Sequence, residues 1–227
     1  MTSPLTSPLS HAAPRAVLWD MDGVLVDSAA YHFAAWSDVF AQENVAYTHE
    51  EFRATFGQRN DTVLRRLLGD HIDDAEIARI SDRKEAIYRR RLREDGIDAL
   101  PGVRHWLQAL HEAGWRQAVA SAAPRANVDA VLDALGIGRF FDAITSAEDV
   151  TRGKPDPQVY LTAAARVGAS SAHAIVIEDA PAGLEGARRA GMKCVGVLTG
   201  HDALHADVVV HRLTDLPHDA FDRLLAN

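Results

Sequence analysis

Ala16-Val17-Leu18-Trp19-Asp20-Met21-Asp22-Gly23-Val24 decides how the rest of the chain is read. Four apolar residues stopped abruptly by a carboxylate fit a short strand buried on both faces, the kind found in parallel sheets. Asp20 and Asp22 are two apart, so on extended chain they leave the same side while Trp19 and Met21 leave the other. Gly23 allows the backbone to turn away sharply just beyond them. Two carboxylates this close repel each other, which either raises one pKa or calls for a cation between them. The fragment alone also reads as a strand-end turn with solvated aspartates.

Working outward, residues 28–96 carry only helical signals: Ala30–Phe40, Glu50–Phe56, Asp61–Leu68 and a long stretch from Asp73 to Glu94. Beyond Pro101-Gly102 strands and helices alternate. Helix Val103–Glu112 precedes strand Gln117–Ser121, and helix Val128–Leu135 precedes strand Phe141–Thr145. Helix Pro157–Val167, strand Ala174–Glu178, helix Ala182–Ala190, strands Cys194–Leu198 and Val208–Val210 and a closing helix follow. Such alternation predicts an α/β protein with a doubly wound parallel sheet and helices on both faces. The expected organisation is a Ser/Pro-rich disordered tail at 1–14, a core of 15–27 and 97–227, and an all-helical insertion at 28–96.

The chain has 227 residues, 47% hydrophobic and 25% charged, which is ordinary globular composition. With 24 Lys+Arg against 32 Asp+Glu its formal charge is −8, an argument against nucleic acid or an anionic membrane surface as partner. The single cysteine, Cys194, can neither close an internal disulfide nor build a thiolate zinc site, and reads as core filler. No apolar run reaches the ~18 residues of a membrane span, and Met1–Pro8 has no signal-peptide pattern, so a monomeric cytoplasmic protein is expected. Neither GxxxxGK[ST] nor GxGxxG follows a strand.

In a doubly wound sheet, ligands gather at the carboxyl ends of the strands. There the sequence delivers Asp20, then Ser121 in Ala120-Ser121-Ala122, and then Glu178-Asp179 after Ile175-Val176-Ile177. Gly153-Lys154-Pro155-Asp156-Pro157 opens a helix between them. An oxygen-rich Mg²⁺ site formed by the Asp pair with Asp179 is the economical solution to the crowded charge.

In this order the four elements resemble the haloacid dehalogenase superfamily of phosphotransferases, and the Asp27–Trp36 stretch resembles the cap of its β-phosphoglucomutase-like sugar phosphatase and mutase branch. The resemblance implies a Rossmann-like core, a helical cap and phosphoryl transfer from a small phosphorylated metabolite. Asp20 would be the nucleophile forming an aspartyl phosphate, and Asp22 the general acid and base. Mg²⁺ would sit among Asp20, the Asp22 backbone carbonyl and Asp179, with Glu178 as ligand or neighbour. Ser121 would bond a phosphoryl oxygen, and Lys154 would pair with Asp20 and the phosphoryl group. A second aspartate at Asp22 implies an ester substrate with an alkoxide to protonate, unlike the dehalogenase and phosphonate branches. The cap suggests His32, Gly57, Arg59, Asn60 and Lys84 as substrate contacts, beside Ser121 and Ala122 from the core. Arg59 suits a second phosphate or sugar hydroxyls, although the mutase pattern has its arginine one position later. Lys84 interrupts the apolar stripe Ile77, Ile80, Ile87 and Tyr88, and either faces the cleft or extends to water. His32 equally fits a satisfied interdomain histidine. Arg89, Arg90, Arg91 and Arg93 read as a solvated face. A phosphatase is the expected activity, with a phosphosugar mutase or a non-catalytic binding protein as alternatives.

Overall fold

A computed structural model of the protein describes residues 13–226; most of the expected tail lies outside them. Strand β1 (Ala16–Trp19) is followed by helices α1 (Ala29–Gln42), α2 (His49–Thr55), α3 (Asn60–Leu68) and α4 (Asp74–Asp95). Then come α5 (Val103–Glu112), β2 (Arg116–Ala120), α6 (Arg125–Leu135), β3 (Ala143–Thr145) and α7 (Gln158–Arg166). The chain ends with β4 (Ala174–Glu178), α8 (Pro181–Arg189), β5 (Lys193–Val197), β6 (Val208–Val210) and α9 (Ala220–Ala226).

The six strands form one parallel sheet in the order β3-β2-β1-β4-β5-β6. The order reverses between β1 and β4, where a doubly wound sheet leaves its crevice. Period-two alternation divides the core. Val17, Trp19, Ile175 and Ile177 pack on one face with α5 and α6, and Ala16, Leu18, Ala118 and Val176 on the other against α7 and α8. Gln117 is buried in this apolar setting, but it accepts from Trp19 Nε1 at 3.1 Å and donates to Leu107 O at 2.9 Å, so no polar group is stranded.

The third strand begins at Ala143, two residues later than expected. A 3₁₀ turn at Gly138–Phe140 precedes it, and the Asp142 carboxylate accepts from Gln117 N at 2.9 Å. In α4 the stripe Ile77, Ile80, Ile87, Tyr88 and Leu92 is buried, and so is Lys84. Asp73 caps its start by accepting from Glu76 N at 2.8 Å, and Gly96 ends it with φ 73°. The arginine face departs from expectation. Arg90 and Arg93 are exposed, but Arg89 donates to Asn127 Oδ1 of α6 and Arg91 to Asp38 Oδ2 of α1, both at 2.8 Å. These two positions flank the buried stripe, so their guanidinium groups reach over onto the neighbouring helices. Cys194 is buried, as a core residue should be. No helix among the described residues is long and apolar enough to cross a membrane.

Candidate functional site

The site grows out of the three central strands. Asp20 follows β1, and its N–H donates to Ile177 O of β4 at 3.0 Å. Trp19 pairs with both Val119 and Ile177, which sets Asp20 level with Ala120 and Glu178. Ser121 follows β2 and donates its N–H to Thr145 O at 3.0 Å, while its hydroxyl accepts from Ala123 N at 3.0 Å. Beyond Asp20 the chain turns tightly, with Leu25 N donating to Met21 O at 2.9 Å and Gly23 N to Val26 O at 2.7 Å. Gly23 has φ 84°, and a Cβ there would lie 1.9 Å from Asp179 Oδ2, so only glycine fits.

Asp20, Glu178 and Asp179 are buried, and each offers a carboxylate oxygen within 4.8 Å of the others. Lys154 donates to Asp20 Oδ1 at 2.6 Å and to Glu178 Oε1 at 2.5 Å. Glu178 is otherwise fully engaged. Tyr160 donates to its Oε1 at 3.0 Å, and the N–H groups of Asp179 and Ala180 donate to its Oε2 at 2.8 Å. Burial, reinforced by Glu178 and Asp22 against the pull of Lys154, pushes the Asp20 carboxyl up to about 8. Burial and then the Glu178 and Asp20 charges hold Asp179 well above the usual range. Burial opposes the charge on Lys154, yet Asp20 and Glu178 outweigh it and raise its pKa well above the ordinary value.

One ammonium against three carboxylates leaves a formal excess of two negative charges in a buried place. An all-oxygen donor set with that deficit fits a hard divalent cation such as Mg²⁺. Asp20 and Asp179 are the carboxylates with least other engagement, whereas Glu178 is spent on holding Lys154 and the strand end.

The Asp22 side chain stands apart from this cluster, although the two aspartates are close enough in charge to affect each other. Its Oδ1 accepts from the Ser28 hydroxyl and lies 3.2 Å from His32 Nε2. Lys84 Nζ lies 2.8 Å from His32 Nδ1. An ammonium has only hydrogens to offer, so Nδ1 accepts and Nε2 carries the hydrogen aimed at Asp22. Burial would raise the Asp22 carboxyl, but His32 and then Ser28 outweigh it and hold it below the usual range.

Asp22 opens into a pocket between the helical segment and the strand ends. Its walls include the rings of His32, Trp36, Phe52 and Phe56, the backbone at Gly57, and Ala122 to Pro124. Gln58, Asn60, Lys84 and Glu85 supply the polar lining. The free space is about 40 Å³, room for a few waters at most. Lys84 therefore faces the cleft and does not extend to water; only 2% of its surface is exposed.

Arg59 lies elsewhere. Its Nη1 donates to Ala147 O at 2.7 Å and Val150 O at 3.1 Å, and its Nε to Asp61 at 3.3 Å. The expected substrate arginine is thus held through Nε and Nη1 near the Lys154 loop, where it lines a small cavity with Ser121, Ala122 and Lys154. Four residues of the network escaped sequence reading. Tyr160 looks like helix core, and Ser28 looks like a helix N-cap but gives its hydroxyl to Asp22. Glu85 and Asn127 meet across 42 positions, with Asn127 Nδ2 donating to Glu85 Oε2 at 2.5 Å. Only the adjacency of Glu85 to Lys84 could have hinted at it.

Residues 17–197 match the model of a family described as haloacid dehalogenase-like hydrolase. The validoxylamine A 7'-phosphate phosphatase of Streptomyces hygroscopicus subsp. limoneus is 32% identical, covering 90% of this chain and 97% of that protein. The beta-phosphoglucomutase of Bacillus subtilis (strain 168) is 33% identical over 89% of this chain and 91% of its own length. The solved beta-phosphoglucomutase of Clostridium difficile superposes with a TM-score of 0.82 at 26% identity, over 94% of this chain and all of that one. Sheet order, strand-end carboxylates and these matches agree: the chain belongs to the haloacid dehalogenase-like hydrolase family.

Proposed function

We propose that the protein is a Mg²⁺-dependent phosphatase of small phosphorylated metabolites, sugar phosphates foremost, acting in the cytoplasm as a monomer. The observation that carries this is the division of labour between two aspartates two residues apart. Asp20 is held by Lys154 among the carboxylates, and Asp22 is held by Ser28 and His32 at the mouth of a pocket. An Asp20 oxygen attacks phosphorus and the ester oxygen departs, taking a proton from Asp22. A water then attacks the aspartyl phosphate, gives its proton to the Asp22 carboxylate and releases inorganic phosphate. The bonds from Ser28 and His32 favour the ionised Asp22 that this second step requires. Asp20 and Asp179, with the Asp22 carbonyl, would hold the Mg²⁺, which supplies charge neutralisation as the anionic nucleophile meets phosphate. Ser121 and Lys154 bind the phosphoryl oxygens.

Residues 28–96 serve as a cap. The pocket is too small for a sugar in this arrangement, so substrate enters when the helices separate from the strand ends, and reclosure excludes water.

Asp20→Asn, assayed by phosphate release from a panel of sugar phosphates, is expected to lose at least 10³-fold in kcat, as removal of a covalent nucleophile does. Retained turnover would refute the covalent route. The likeness to beta-phosphoglucomutases favours a second reading, in which a sugar hydroxyl replaces water. Isomerisation of β-glucose 1-phosphate without phosphate release would select it.

A further inference from the structure

The pocket beside Asp22 has an unusual hydrogen-bond balance. Its one ammonium, Lys84, is committed to His32 Nδ1 and to Glu85 Oε1 at 2.9 Å, with the Trp36 ring 5.1 Å away. Asn60 spends its NH₂ on Glu85 Oε1 at 2.7 Å, and Gln58 spends its own on Ala54 O at 3.2 Å. The network thereby fixes which way both amides face, leaving each a carbonyl oxygen and one N–H for a ligand. Asp22 and Glu85 add two carboxylates against the single Lys84. The cation nearest in sequence, Arg59, is held by Ala147, Val150 and Asp61 and does not line this pocket. Ala122 to Pro124 give the core side of the pocket no cation either. Acceptors beside single N–H donors in a net negative lining suit hydroxyl groups, which donate and accept at once. A phosphate or carboxylate would find no uncommitted cation and would meet like charge in a poorly solvated space. Rings at Trp36, Phe52 and Phe56 suit the C–H faces of a carbocycle or sugar.

We propose that this pocket selects esters whose only anionic group is the phosphate being removed, the remainder being an uncharged polyhydroxylated carbon skeleton. The selection rests on the phosphatase reading. It also weighs against a mutase route through a sugar bisphosphate, whose second phosphate would enter this pocket.

Two matched pairs test it, in wild type with Mg²⁺: glucose 6-phosphate against glucose 1,6-bisphosphate, and glycerol 1-phosphate against 3-phosphoglycerate. Each compound is measured by kcat/KM, or as a competitor of p-nitrophenyl phosphate hydrolysis where it is not itself turned over. The uncharged-remainder member of each pair is expected to be favoured at least tenfold. Glu85→Gln, which removes one of the repelling charges, should narrow both gaps several-fold. Arg59→Ala should move both members of a pair by the same factor, because its guanidinium lies outside this pocket, on the side of Ser121 and Lys154 where both present the same phosphate. Equal or better handling of the bisphosphate and the phosphoglycerate would overturn the proposal and leave the phosphatase reading standing, as would a selective loss of the bisphosphate in Arg59→Ala. Release of no phosphate from any compound, p-nitrophenyl phosphate included, would end both.

Discussion

Glu178 shows how one side chain can organise a catalytic centre through its bonds to other groups. It takes four donors, from Lys154, Tyr160 and two backbone amides, and so fixes the ammonium that faces Asp20. A Cβ added at Gly183 would lie 1.9 Å from Glu178 Oε1. Gly183→Ala is therefore expected to displace the carboxylate and lower kcat at least tenfold, with circular dichroism still reporting a folded chain. Unchanged kcat would mean that Glu178 can move without cost. Asp149 offers a separate test by pH. Its bonds to Arg166, opposed by some burial, hold its carboxyl well below the usual range, and it also accepts from Ser146 N at 2.8 Å. A depressed folded pKa means the stabilisation is present above the unfolded value and is lost as pH falls below about 4 towards the folded value. Both side chains are partly exposed, so Asp149→Asn should cost about 1 kcal/mol at neutral pH. The gap to wild type in thermal melts should narrow progressively as pH falls below about 4.

At the scale of elements, α4 joins two kinds of order. Its apolar stripe anchors it to α1, and Ile80→Ala should cost about 2–4 kcal/mol in urea unfolding, as a buried isoleucine does. Its Lys84–Glu85 pair is almost wholly buried, with side chains 3% and 5% exposed. Lys84→Met leaves Glu85 uncompensated and is expected to destabilise by about 3–5 kcal/mol. Adding Glu85→Gln should recover part of that loss, and a double variant no more stable than the single would contradict the pairing. These elements differ in how plainly the sequence announced them. β1 and β4 are unbroken apolar runs ending in carboxylates, so strand, sheet type and site were readable together. The stripe of α4 was readable too, but periodicity places Lys84 on a face without saying what lies opposite. That depends on His32 and Glu85, and on Asn127, which reaches α4 from the far side of the sheet's first crossover. The start of β3 was misplaced because Phe141 and Asp142 look extended, and only the bond from Gln117 N to the Asp142 side chain marks them as a strand cap.

Across the whole molecule, the excess negative charge at the strand ends couples metal to stability. Mg²⁺ that binds only the folded chain stabilises it by about 2.7 kcal/mol at a hundred times its dissociation constant. Thermal melts with saturating Mg²⁺ should therefore run several degrees above melts in EDTA, and Asp179→Asn should abolish the difference. An identical shift in that variant would place the ion elsewhere. Beyond the bonds of Ser28 and His32 to Asp22, two further ties join the helical block to the core, by Arg89 and Glu85 on Asn127 and by Arg59 on residues 147 and 150. The second tie has a lopsided inheritance. Its donor is a single side chain, while its acceptors are main-chain carbonyls that every amino acid carries. Ala147 and Val150 can drift to other residues without losing the grip, so nothing need covary with Arg59, and an alignment would show a solitary arginine with no recorded counterpart. Only replacing the arginine itself, or moving that stretch of backbone, undoes the fastening.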